Sequence, residues 1–486
     1  MLRGDCQSTA VPQIKCKVLR ILTRSERSSG CRGRHWGRVH TVGRPLVPEF
    51  RPFIKVSTVP SLLRTPLTRT TKWTWRVLIL VTVFFNARLY WPSPLAATSD
   101  TVPPDLVEQL AANRSALDAG SPSQMQKYFP EGFYFSYLFH GLTWVELAMR
   151  DGSYSKKAIA EAVDCLAQLE SDEGRAVFPP QLPPGHGMFY SAWKCHLRAG
   201  VVVLQEGADG EQLAIFRKEC DAIAAALKES RTPFLASYQG SAWPCDTVPA
   251  IHALSVYDRV TNGDRYNVTI DTWLKDAFER VDLTSDLLPH TASLPDGRNV
   301  GVARATSQVI MLRYLPDIDP SLARDQYTKF RERFLTTFVG APCVLEYPSG
   351  ISGPGDVDSG PLIFGRSLVG TVMMMAIAQI YGDHDVADAI AQAGETVGLP
   401  WTSGGKKKYV VGAMPIGDII VAYSHVARPW FAEKQHHPEV SHKLSPLWRW
   451  QIHAWSCLVF LPWIIGFYRQ RLRRNAKTVD GQNEAN

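Results

Sequence analysis

The chain is poor in cysteine, with nine in 486 residues, no CxxC pair and no Cys/His grouping at zinc spacing. That excludes a disulfide-stapled scaffold and a structural zinc module. GxSxG, P-loop, HExxH and kinase signatures are missing, and the one glycine-dense stretch is no GxGxxG turn opening a Rossmann unit. Phosphoryl transfer and dinucleotide chemistry are therefore disfavoured, and neither a cofactor nor a metal is expected. Charge of one sign is also unevenly spread. Residues 1–76 hold 16 Lys/Arg against three acids and residues 441–486 hold seven against two, so a total of +7 leaves −11 on residues 77–440. An acidic centre repels phosphates, which makes nucleic acid a poor partner.

What is abundant is core-forming sequence, since 45% hydrophobic and 20% charged residues at this length suit a large folded body. The basic segment 1–76 is expected to be disordered. The apolar run Val77–Phe85 follows, flanked by Trp73, Trp75, Tyr90 and Trp91. It is short for a spanning helix, which needs about 20 residues, so segment 77–97 reads as a signal peptide processed near Leu95-Ala-Ala97, an uncleaved anchor or a buried strand. Residues 448–468 read as a second membrane helix, or a buried C-terminal helix, with 469–486 as a basic tail. If both ends insert, the basic flanks lie in the cytoplasm and the main domain on the extracytoplasmic side, with the lipid bilayer as a partner. Asn113-Arg-Ser and Asn267-Val-Thr would be glycosylation acceptors on that side in a eukaryote.

Between these ends, 3.6-residue periodicity and Gly/Pro breaks predict helices at 132–150 and 154–170, 186–204 and 208–229, 246–261 and 265–281, 300–315 and 320–339, 360–381 and 384–396, and 412–427. The first members recur at near-constant spacing, as six helical hairpins do, the last partner coming from 103–117 or from the chain after 430. The expected fold is all-α, an (α/α)6 toroid over residues 125–430. First helices are nearly uncharged and suit an inner layer, and second helices are amphipathic and suit an outer one. Every linker between pairs then emerges on one rim, so loops at about 178–190, 235–247, 290–302, 341–361 and 397–412 would converge over a central cavity.

Those loops carry the candidate chemistry. Tyr238-Gln-Gly-Ser-Ala-Trp-Pro-Cys-Asp246 enters an inner helix, placing Cys245 and Asp246 where free amides and the helix dipole favour thiolate and carboxylate. A cap and a packing residue would look the same. Cys343 to Pro361 holds Asp356 and Asp358, two apart on an extended chain, where mutual repulsion would split their pKa values into an acid and a base. Glu346 adds a third carboxylate and Tyr347 an aromatic ring. A calcium loop or plain turn duty are the alternatives, although the spacing is not that of an EF-hand. His186, Tyr190 and Trp193 lie in or after the second loop, and Tyr134, Tyr137 and His140 line the first inner helix. Arg298 and Arg304 would hold a substrate or pair with the aspartates. With Trp243 and Tyr238, the aromatics suit a sugar or a small hydrophobic alcohol.

The hairpin spacing, Trp-Pro-Cys-Asp at 243–246 and Gly-Asp-Val-Asp-Ser-Gly-Pro at 355–361 resemble linalool dehydratase/isomerase-type domains. The resemblance implies cofactor-independent addition or removal of water at an allylic alcohol. Cys245 would take the catalytic cysteine's place, and Asp246, His186 and Tyr134 would be proton-transfer partners. Cys343 is the one candidate for a second active-site cysteine. Two rival readings stand beside this one. An envelope glycoside hydrolase or polysaccharide lyase would use Asp246 with Asp356 or Asp358, and a non-catalytic binding module would use none of them. The oligomeric state is open.

Overall fold

The computed structural model describes residues 69–96, 101–207, 210–431, 444–469 and 471. Most of segment 1–76 and of the tail 469–486 lies outside these residues. The described chain is mostly helical and resembles an (α/α) toroid. Six apolar helices form the inner layer: α3 (Gly132–Arg150), α5 (Gly187–Leu204), α7 (Pro244–Val260), α9 (Ala305–Ile318), α11 (Leu368–Ile380) and α13 (Pro415–Val426). Each packs on the next, and α13 packs back on α3, which closes the ring. Their partners α4 (Ser155–Leu169), α6 (Glu211–Glu229), α8 (Asn267–Phe278), α10 (Pro320–Phe334) and α12 (His384–Val397) form an outer layer. The sixth outer helix is α2 (Leu106–Asp118), which packs on α13 and α3.

The layers follow from the sequence pattern. An inner helix touches neighbours on every side, so α3 buries residues all round its circumference. An outer helix needs one stripe, and α6 buries only Phe216, Cys220, Ile223 and Ala226, spaced three or four apart. A buried charge pair crosses the ring, Arg313 of α9 with Glu146 of α3, and Glu146 also accepts the Arg428 amide at 3.1 Å. Asp317 accepts the Trp430 and Phe431 amides at 2.8 Å each, which fixes the chain leaving α13 beneath the ring.

Three expectations need correction. The helix expected over 320–339 stops at Phe334, because Leu335–Phe338 (β1) pairs antiparallel with Ala341–Leu345 (β2). The helix expected from 360 begins at 368: Arg366–Ser367 (β3) pairs with β2, and the Ser367 side chain caps α11 by accepting the Gly370 amide at 3.0 Å. Residues 397–412 do not join the other loops. Their hairpin of Trp401–Ser403 (β4) and Lys406–Lys408 (β5) packs on α2, where Lys407 meets Asp105 at 3.3 Å and Glu395 at 3.1 Å.

Membrane-helix candidates are not found at both ends. Among the described residues only α14 (Arg449–Arg469), 21 residues long with an 18-residue stretch of mean hydropathy 1.3 and none of that stretch buried, is long and apolar enough to cross a bilayer. At the other end α1 (Arg69–Arg88) is interrupted by Lys72, Thr74, Arg76, Thr82 and Asn86. It lies beside α14 instead. Asn86 donates to Ser456 Oγ at 2.8 Å and meets His453 Nδ1 at 2.6 Å, and Tyr90 Oη meets His453 Nε2 at 2.8 Å. The chain after α1 is built into the toroid: Leu89 and Leu95 are buried, and Ser93 donates to Asp388 at 2.7 Å. Of the two glycosylation sequons, Asn113 is buried in α2 and Asn267 is exposed at the start of α8.

Candidate active site

The third residue of successive inner helices marks the mouth of the ring: Tyr134 on α3, Phe189 on α5, Asp246 on α7 and Ser307 on α9. Pro244 at the first position of α7 has the fixed φ that suits a helix start, so the Trp243-Pro-Cys-Asp entry sets Asp246 facing the loops. Asp246 is buried, which pushes its carboxyl up to about 7 against the pull of the Ser237 hydroxyl, and the charge of Asp358 adds to the rise. The Trp193 indole N–H is directed at the same carboxylate but falls short of hydrogen-bond geometry.

Asp358 is also raised to about 7, by surrounding protein first and then by Asp356 and Glu131. Its side chain nonetheless keeps contact with water. Both are true of a carboxyl at the edge of the folded body, and the water tempers the rise. Asp356 behaves oppositely. Burial works to raise it, but the Ser359 amide, which donates to Oδ1 at 2.9 Å, and an ion pair with Arg304 bring it below the usual range. Arg304 also donates from Nε to Glu346 Oε1 at 2.8 Å, and the Thr306 hydroxyl donates to that oxygen at 2.7 Å. Its guanidinium lies over the Tyr347 ring at 5.3 Å. Arg304 thus holds two carboxylates and leaves Asp358 as the acid free of a strong partner.

Three contributors were not read from the sequence. Glu131 precedes α3 and accepts the Tyr238 hydroxyl, and its charge raises Asp358. It stands immediately before α3, the place Trp243 holds before α7, so the hairpin repeat did not single it out. Ser307 and His290 form a chain behind Cys245. Ser307 is close enough to Cys245 to pull its thiol down against the burial, and it meets His290 Nδ1 at 2.6 Å. Burial, then the Arg304 charge, push His290 down to about 4, so its ring is neutral near pH 7. No spacing rule joins residues 245, 290 and 307.

The other expected residues divide. Cys245 lies beside Asp246, its sulfur 4.0 Å from Oδ1, but burial and then the Asp246 charge raise its thiol, the reverse of the dipole-stabilised thiolate expected at a helix start. Tyr238 and Trp243 pack edge to face at 5.6 Å beside the carboxylates. Tyr134 is not with them. Its hydroxyl donates to the Tyr190 carbonyl at 2.7 Å inside an aromatic wall with Phe178 and Phe189. Tyr190 in turn donates to the Leu169 carbonyl at 3.3 Å, and His186 packs on Tyr190 with ring centres 5.0 Å apart. Arg298 is exposed and bound to Asp296. Cys343 sits on β2 opposite Thr336, outside the cluster. No group of three or more His, Cys, Asp or Glu with metal-holding geometry occurs among the described residues. An open depression of about 680 Å³ on the opposite rim, bordered by Asp258, Asn262 and Asp271, is remote from these groups.

The arrangement can therefore keep one carboxylic acid and one carboxylate together near neutral pH, beside aromatic faces. No protein-family model matches the chain, and no curated protein matches it. The resemblance to linalool dehydratase/isomerase-type domains thus gains no support. Among solved structures the chain is similar to a GH76 alpha-mannanase of Bacteroides thetaiotaomicron, at 10% identity and TM-score 0.39 over 60% of this chain and 84% of that one. It is also similar to a D-mannose isomerase, at 9% identity and TM-score 0.38 over 74% of this chain and 99% of that one. Likenesses this distant carry no inference about activity.

Proposed function

We propose that the chain is a cofactor-independent acid/base enzyme of the hydrolase or isomerase type acting on a small hydroxylated, sugar-like substrate. Asp246 and Asp358 are its proton-transfer pair. The observation that carries this reading is the pair itself: two carboxyls from different hairpins, both pushed up to about 7, with the charge of Asp358 acting on Asp246. One protonated and one ionised carboxyl is the state that protonates a leaving or carbonyl oxygen while the partner accepts a proton or activates water. Glu131 and Tyr238 shape the pair's field, Trp243 offers a face to a sugar ring, and Arg304 with Glu346, Asp356 and Tyr347 sets the loop that presents Asp358. The exposed apolar helix α14 tethers the enzyme to a membrane, with the main domain on the extracytoplasmic side.

A second reading rests on the Cys245–Ser307–His290 chain, which supports a (de)hydratase or isomerase working through cysteine. Turnover across a panel of glycans and small terpenoid alcohols separates the two. Under the carboxylate reading Asp246→Asn and Asp358→Asn each lower kcat by about 10²–10⁴-fold, the usual span for a lost general acid or base, while Cys245→Ala stays near wild type. A Cys245→Ala variant as inactive as Asp246→Asn would transfer the role to the thiol.

A further inference from the structure

The anchor helix meets the toroid at the segment that carries the site. At the base of α14, Trp448 is buried against Leu89 and Ala389, and Gly340 in the β1–β2 turn lies so close that a Cβ there would stand 2.1 Å from the Trp448 carbonyl oxygen. Two residues from that contact the surface turns apolar. Phe338 is 42% exposed, Ile363 52%, Phe364 78% and Leu368 62%. Phe338 and Phe364 stack at 5.9 Å, with the Arg366 guanidinium 5.4 Å from the Phe338 ring centre. Arg366 ties the crest together by donating to the Thr337 carbonyl at 3.1 Å and the Phe364 carbonyl at 2.9 Å. Phe364 is held at φ 49°, a left-handed conformation that costs energy in a non-glycine residue, so the crest is kept in place rather than left slack.

We propose that the Phe338–Ile363–Phe364 crest docks into the interfacial layer of the bilayer that receives α14. The inference rests on the membrane reading of α14. Aromatic rings with a cation among them suit the boundary between headgroups and acyl chains, and continuity with the anchor's base argues for lipid over a second protein. Because β2 and β3 bracket residues 346–365, docking sets that loop, with Asp356 and Asp358, at the lipid surface. A membrane-resident amphiphile with a hydroxylated head then becomes the substrate class that reaches the carboxyl pair most directly.

Photo-crosslinking of the full chain in native membranes tests this without any assay of turnover. The photoreactive side chain is introduced singly as Phe364→p-benzoyl-phenylalanine, as Leu461→p-benzoyl-phenylalanine on α14, and as Val268→p-benzoyl-phenylalanine on α8, which is 79% exposed and packs on α6 and α7. Lipid adducts at 364 at least about fivefold above those at 268, alongside adducts at 461, are expected. Adducts at 461 with none above background at 364 would overturn the docking and leave the anchor standing. Adducts at neither position would overturn both, and a 364 crosslink to a second copy of the chain in place of lipid would also refute the proposal.

Discussion

Replacing Asp246 with Asn should stabilise the protein at alkaline pH. A carboxyl raised from the ordinary 3.8 to about 7 binds a proton in the folded chain that it has already released in the unfolded one. Its contribution to stability is therefore intact below about pH 4 and is lost as pH rises through 7. At about 1.36 kcal/mol per pH unit, a rise of roughly three units costs the native state about 4 kcal/mol above pH 8 when fully expressed. Asn keeps the shape and carries no charge, so it removes that cost. Thermal or urea unfolding of wild type and Asp246→Asn at pH 4 and pH 8 gives the measure. The variant's advantage should grow between the two pH values by up to about 4 kcal/mol, while its turnover falls. Parallel stability curves for the two proteins across that range would refute the assignment of a raised carboxyl at 246.

Other consequences can be checked separately. Arg304→Met strips the partner from buried Glu346 and from Asp356, and should cost about 3–5 kcal/mol, with faster hydrogen exchange over residues 346–360. Glu146→Ala leaves the Arg313 charge unpaired inside the ring, and a loss of similar size is expected in chemical unfolding. Gly187 has φ +89°, and a Cβ there would lie 2.5 Å from the Ser237 carbonyl oxygen; Gly187→Ala should lower the melting temperature by an amount equivalent to about 1–3 kcal/mol and raise hydrogen exchange in residues 236–243. Burial and the neighbouring carboxylate raise the Cys245 thiol, so it should resist alkylation at pH 8 in the folded chain and react once unfolded, as followed by peptide mass spectrometry. Equal rates in both states would contradict that.

The hairpin repeat was legible because burial imposes it. An inner helix has no solvent face and so reads as nearly uncharged, as α11 does from Leu368 to Ile380, whereas α12 alternates Asp and Glu with Val, Ala and Ile. The limits at 335 and 367 were harder to read, since a strand pair depends on residues far apart in the chain: Val344 pairs with both Leu335 and Ser367. Within the site, Asp246 and Asp358 stood out through their proline and glycine surroundings. Glu131 did not, because its position gains meaning only once α13 closes on α3. The environment of Cys245 reversed the local expectation, because desolvation outweighed the helix dipole. At the N-terminal end, the flanking tryptophans suggested an anchor, yet the polar residues of α1 weigh against a span of its own.

The account depends most on a carboxyl pair that titrates near neutrality, and difference infrared spectroscopy of the protein between pH 5 and pH 9 reads this directly. A protonated-carboxyl band should persist at pH 5, fade with a midpoint near 7, and weaken or vanish in Asp246→Asn and Asp358→Asn. A spectrum with no such band, or one unchanged in both variants, would contradict it.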